Sequence, residues 1–350
     1  MLFFTFFIIL IIVCILSKID WNRYKYFNLV FSVCYATWLV LYSGMRKPGS
    51  SADDVNYLLN LSYGGYGFEI IFSEITNAFR FYNSTPEIYF LFISILSMAI
   101  LVISLLKCNV KYLSFALLIY SSHVFLYRDM IQIRAAVAYN LVLLSFVFFS
   151  NKKLMLSLAS YFTSIGFHKS SIASVIVIFL NSFVIRTSTV VITCMLIYLS
   201  SFFDLGGYII RNVGYLSGFV SESILDTYLV EGEEYAQKLS ALNPTTLKIM
   251  MIFLILSYHR DRVEFIKNNN IYYYSYAMSF VFITLFSSFN VFASRMSSLF
   301  SVVEVVLIPA IMLHTKNKFL IVGFIFMYIA QLSLNIFGKN LDTGGFLYLL

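Results

Sequence analysis

Residues 123–180 read HVFLYRDMIQIRAAVAYNLVLLSFVFFSNKKLMLSLASYFTSIGFHKSSIASVIVIFL. Apolar runs carry Arg128 and Arg134 at one end and the Lys152–Lys153 pair at the other. The chain then returns to a polar break, Phe167-His168-Lys169-Ser170-Ser171. A helix of about 20 apolar residues crosses ~30 Å of hydrocarbon. A cation inside such a run costs several kcal/mol, so it demands an anionic partner or a water-filled cavity. Arg134 stands among Ala135, Ala136 and Ala138, and small neighbours let another helix or a substrate approach the guanidinium closely. The stretch therefore reads as membrane-embedded helices arranged around buried cations.

Composition extends that reading to the whole chain. Of 350 residues, 60% are hydrophobic and only 12% charged, with a mean hydropathy of +0.84; soluble chains carry roughly 25% charged residues. The fold class expected is all-α, a polytopic membrane helical bundle of about 11–12 transmembrane helices. Residues 1–350 then form a single integral membrane domain. The net charge of +7 is no nucleic-acid signal, because its meaning depends on the side of the membrane that each charge occupies. Cys14, Cys34, Cys108 and Cys194 lie in or beside apolar runs and form no CxxC pair; they read as small apolar residues, not as a disulfide framework or a metal site. Walker A, GxGxxG and HExxH patterns are missing from the sequence, so nucleotide chemistry has no support and no cofactor is expected. The opening MLFFTFFIILIIVCILSKID has no basic n-region and no small-residue cleavage site, and reads as a retained first helix.

Apolar runs place helices at about 2–17, 27–43, 88–106, 112–127, 130–150, 154–167, 170–183, 188–203, 245–258, 272–290, 296–313 and 319–337. The runs at 154–167 and 170–183 are short for a full crossing and read as half-crossings meeting at His168. Two long polar loops, about 44–87 and 204–243, interrupt the pattern. Inside the first, FEIIFSEITNAFRFY (68–82) has apolar residues at helical spacing, so part of that loop is expected to lie along the membrane interface as a helix. Lysine-rich short loops, including Lys18/Arg23/Lys25, Lys107/Lys111, Lys152/Lys153 and Lys316/Lys318, fall on one side if every helix spans. By the positive-inside rule that side is cytoplasmic. The two long loops then lie outside, and the working surface is the outer face.

Several residues stand out as candidates. Arg134 either meets an anionic ligand or pairs structurally with Asp129 or Glu304. Arg128, beside Asp129, is a ligand contact or an interface anchor. His168, at a polar break between two short helices, is a candidate general base, since histidine titrates near neutral pH; otherwise it is a turn residue at headgroup level. His123, within a helix, reads as a helix–helix hydrogen-bonding residue. Arg295, in FNVFASRMSSLF (289–300), is a ligand contact or a snorkelling end residue. Asp53 and Asp54 bind a cation or a hydroxyl, or are simply solvated. Glu304 reads as an embedded counter-ion or a protonated structural group, and Arg211, in the second loop, adds a further outer-face guanidinium.

The order of these segments resembles the EpsG/Wzy type of polysaccharide polymerase: Arg134 with its small neighbours, a lysine pair, then FHKSSI (167–172). ADDVNYLLNLSY (52–63), with Asp53 and Tyr57, resembles that family's Asp-x-x-x-Tyr loop. FEIIFSEI (68–75) is similar to its following Glu-rich segment, and SRMSSLF (294–300) to its late arginine segment, although the aromatic comes late here. The resemblance implies a multi-pass enzyme of a bacterial inner (plasma) membrane, resembling the GT-C membrane glycosyltransferase class. It implies polymerisation of lipid-linked repeat units into O-antigen or another surface polysaccharide, at the periplasmic face. Its partners would be an undecaprenyl-diphosphate-linked glycan donor and acceptor, with room for a chain-length regulator protein and no nucleic acid. The implied roles are catalysis by His168 and Arg134, and substrate binding by Arg128, Arg295, Asp53, Asp54, Tyr57 and Arg211, without a metal. The competing class is a flippase of lipid-linked oligosaccharide, which needs charges through the full depth of the membrane and two comparable halves.

Overall fold

Ile133–Ser150 is mostly apolar around its circumference, and in the computed structural model 78% of its residues are buried, against 22% of the most apolar stretch of Lys318–Ile336. The structure describes residues 2–19, 21–51, 53–65, 67–209, 239–315 and 317–338. Among them the regular structure is all helical. In chain order the main helices are α1 (Leu2–Ile19), α2 (Trp21–Gly44), α3 (Asp54–Tyr63), α4 (Ile70–Phe81), α5 (Pro86–Lys107) and α6 (Leu113–Tyr120). There follow α7 (Ile133–Ser150), α8 (Leu154–Phe167), α9 (Val175–Asn181), α10 (Thr187–Ser200), α11 (Pro244–His259), α12 (Asn270–Leu285), α13 (Asn290–Ser301), α14 (Glu304–His314) and α15 (Lys318–Ser333).

The chain divides into two compact units, Met1–Ile172 with Glu304–Leu350, and Ala173–Val303. In the first, α7 and α8 form a close hairpin, α7 also packs on α5, α5 on α2, and α2 on α1. α6 packs on α14 and α1. The Lys18 ammonium donates to the carbonyls of Met312 and Thr315, a cation at the C-terminal end of α14 where helix carbonyls lack partners. In the second unit α12 is central and packs on α9, α10, α11 and α13. Arg260, just past α11, donates to Asn270 Oδ1 at 2.9 Å from Nη2, to Tyr274 Oη at 3.0 Å and to the Ile185 carbonyl at 3.1 Å. It thereby ties the end of α11 to the start of α12 and to the segment before α10.

Four helices among the described residues are long and apolar enough to cross a membrane, or five if α13 and α14 are one broken span. The expected count of about 11–12 took in shorter apolar helices such as Leu154–Phe167, Thr187–Phe203 and Pro244–His259. Other differences are local. The run read as one helix over 112–127 passes through a π turn at Ser121–Phe125, and the next helix begins at Ile133 after a break. The run at 296–313 is interrupted at 302–303, and Arg295 lies inside α13 instead of trailing the preceding helix. The segment 154–183 is α8, a 3-10 turn at Lys169–Ser174, and α9, so the break falls at His168 as expected. α4 is the helix expected within the first loop. α3 was not expected as a helix. Its buried face is Asp54, Tyr57, Asn60 and Leu61, a helical spacing whose polar members hide it from a hydrophobic count.

A candidate active site at three helix ends

Three helix termini of the first unit converge: the starts of α4 and α7 and the end of α8. Glu69 occupies the N-cap position of α4 in extended conformation (φ −64, ψ 150), yet its side chain makes no capping bond to its own helix. It reaches across instead. Glu69 Oε2 accepts from Arg134 Nη1 at 2.5 Å, while Oε1 lies 3.2 Å from His168 Nδ1 and accepts the Lys169 backbone N–H at 3.1 Å. Glu69 is 8% exposed, and Arg134 and His168 are each 20% exposed, so the cluster is shielded without being sealed.

Local folding explains each placement. Arg134 lies in the first turn of α7, after the break at Asp129–Gln132. That break is held by Asp129, which accepts from Ser97 Oγ at 2.7 Å and Tyr120 Oη at 2.6 Å. Asn140 of α7 donates to the same tyrosine and serine oxygens at 3.0 Å. His168 caps the end of α8 in extended conformation (φ −157, ψ 119), its N–H donating to Ser164 O at 2.9 Å. α8 comes this close to α4 because residue 166 is glycine: a Cβ there would lie 2.4 Å from Ile71 Cδ1 and 3.2 Å from Ile71 Cβ.

Aromatic rings line the guanidinium. Arg134 Cζ lies 4.2 Å from the Phe68 ring centre, 5.7 Å from Phe72 and 5.8 Å from Tyr57. The three rings contact one another at centroid distances of 5.6–5.8 Å. A cation over aromatic faces is attracted by their quadrupoles, the more so when desolvated. Burial pushes the Tyr57 hydroxyl up to about 12, with the Arg134 charge opposing that rise. Burial also pushes the Glu69 carboxyl up, but the hydrogen bond with His168, the charge of Arg134 and the Lys169 N–H outweigh it and hold the group at about 2.

The sequence candidates therefore separate. Arg134, His168 and Tyr57 come together. Arg128 is close by: its guanidinium lies 5.2 Å from the Tyr139 ring centre and donates to Gln132 Oε1, and the Tyr139 ring is 6.4 Å from that of His168. Asp54 does not join them, because Arg46 claims it in a fully buried pair with Nη2 2.7 Å from Oδ1. Asp53 stands at the N-cap of α3 without a side-chain capping bond. Arg134 does not pair with Asp129 or Glu304; Glu69 takes that place. Glu304 is buried beside Tyr328, whose hydroxyl donates at 2.8 Å, with His123 Nε2 at 3.8 Å. Arg295 belongs to the second unit, and Arg211 lies outside the described residues. Among the described residues no three His, Cys, Asp or Glu side chains are grouped to hold a metal. Glu69 is the residue that sequence reasoning passed over. Its signal was an acidic residue just before an amphipathic helix, a position that ordinarily reads as favouring the helix dipole.

A base candidate, a guanidinium and a carboxylate within hydrogen-bonding reach can bind an anion and accept a proton. The model of the EpsG family matches residues 1–348, and the chain belongs to that family, whose character is polysaccharide polymerase-like. No curated protein and no solved structure matches the chain.

Proposed function

We propose that this EpsG-family chain polymerises lipid-linked oligosaccharide repeat units, moving the growing glycan from undecaprenyl diphosphate to a new lipid-linked unit at the outer face of a bacterial inner membrane. The observation that carries the reading is the meeting of Arg134 and His168 on one carboxylate at the ends of three helices.

The chemistry suits those groups. The acceptor hydroxyl oxygen bonds to the donor's anomeric carbon as the bond from that carbon to the diphosphate oxygen breaks. The diphosphate leaves with the electron pair, and the acceptor's proton passes to His168. Charge develops on the leaving diphosphate, where a guanidinium placed in advance stabilises the transition state. Arg128, Arg134 and the exposed Lys169 outweigh Glu69 in charge, which favours an anionic group in their midst. Transfer from an activated lipid diphosphate uses no nucleotide, in keeping with the missing nucleotide motifs. Arg295 and Arg211 remain proposed substrate contacts outside this cluster.

The test is glycan length in cells producing His168→Ala at wild-type protein level. The polymerase reading expects surface glycan of single repeats, since a general base contributes about 10²–10⁴-fold in rate. Loss of all surface glycan would point instead to a flippase, and wild-type chain length would remove His168 from the chemistry.

A further inference from the structure

Glu69 divides its two oxygens between different tasks. Oε2 faces Arg134, while Oε1 faces both His168 Nδ1 and the Lys169 N–H. An ionised carboxylate only accepts hydrogen bonds, so the facing Nδ1 must carry a proton. A neutral imidazole with its proton on Nδ1 has its lone pair on Nε2; the tautomer is assigned here from the hydrogen-bond network. The backbone N–H of Lys169 and the guanidinium of Arg134 together fix the carboxylate's rotation, so it presents a defined edge to the ring. The α4 start thus spends its acidic residue on the end of α8 instead of on its own first turn.

We infer that Glu69 is a positioning residue for the reaction: it holds His168 in the tautomer whose Nε2 accepts the acceptor hydroxyl's proton, and it stabilises the imidazolium that results. This rests on the polymerase reading above. When the new glycosidic bond forms and the diphosphate departs, the proton arrives at Nε2 while the Nδ1 proton stays on His168, bonded to Glu69. The charged groups around the imidazole are Glu69 from the start of α4, Arg134 beyond Glu69, Arg128 beyond Tyr139, and the adjoining Lys169. Glu69 is the anion among them, so its charge favours protonated His168 and the others oppose it.

The experiment uses full-length protein in isolated membranes, supplied with lipid-linked repeat units extracted from a strain that lacks this chain. Elongation rate per molecule of protein is followed from pH 5 to 9 for wild type, Glu69→Gln, Glu69→Asp, His168→Ala and Arg134→Ala. Glu69→Gln is expected to slow elongation about 100-fold, within the range that a general base contributes, and to move the acid limb of the profile to lower pH. Glu69→Asp restores the position of the limb with part of the rate. If Glu69→Gln elongates at the wild-type rate with an unmoved limb while His168→Ala and Arg134→Ala do not elongate, this inference is overturned and the polymerase site stands. If Glu69→Gln lowers only the amount of folded protein, leaving rate per molecule and limb unchanged, the residue is structural and the inference is again overturned. If His168→Ala and Arg134→Ala elongate normally, the reading of the site itself fails.

Discussion

Arg46 and Asp54 form an ion pair with both side chains fully buried, Nη2 to Oδ1 at 2.7 Å and Nε to Oδ2 at 3.4 Å. The guanidinium also donates to the Ser43 carbonyl at 2.6 Å and lies 4.3 Å from the Phe90 ring centre. The pair fastens the start of α3, and with it Tyr57, to the end of α2. Removing one partner from a buried pair leaves an uncompensated charge, at a cost of about 3–5 kcal/mol. Asp54→Asn should therefore lower thermal stability in detergent sharply, and Arg46→Met with Asp54→Leu should recover much of it. An unchanged melting temperature for Asp54→Asn would show that the carboxylate is not needed as an anion.

Arg134 stacks on Phe68 and meets Glu69 through one arm of its guanidinium. Lysine keeps the charge but loses the planar fork and the stacking face. Arg134→Lys at normal protein level should shorten the glycan nearly as much as Arg134→Ala. Wild-type chain length in the lysine variant would reduce the requirement at this position to a point charge.

Glu69 is held at about 2, below the usual carboxylate value of about 4.3. A depressed folded value contributes stability above the unfolded value and loses it as pH falls through the folded one. The destabilisation caused by Glu69→Gln should accordingly shrink as pH falls from about 4 toward 2. Thermal unfolding at a series of pH values measures this; a destabilisation undiminished between about pH 4 and 2 would contradict a carboxylate held ionised by its partners.

The lysine-rich short loops predict that 44–87 and 204–243 lie outside. In a cysteine-free background, single cysteines replacing Ser62, which is exposed, and Ser223 should label with a membrane-impermeant thiol reagent from intact cells. Protection of both until the membrane is opened would reverse the topology.

Much of this protein follows from its sequence alone. Scarcity of charge and long apolar runs dictate a helical membrane bundle, because only internally hydrogen-bonded helices or closed barrels satisfy the backbone in lipid. A cation among alanines marks Arg134, and a polar break between short apolar runs marks His168, since each is costly where it stands unless something meets it. Pairings decided the rest. Neither the Arg46–Asp54 pair nor the Glu69 bridge leaves a periodic trace, because periodicity reports which face of a helix is buried and not what it meets. Asp54, which the sequence left between a cation or hydroxyl site and simple solvation, is enclosed with Arg46 at the ends of α2 and α3. Glu69, not singled out by the sequence, meets His168 and Arg134 because Gly166 lets the end of α8 approach α4. Tertiary packing made those choices, since a buried charge settles on whichever partner the fold brings within reach.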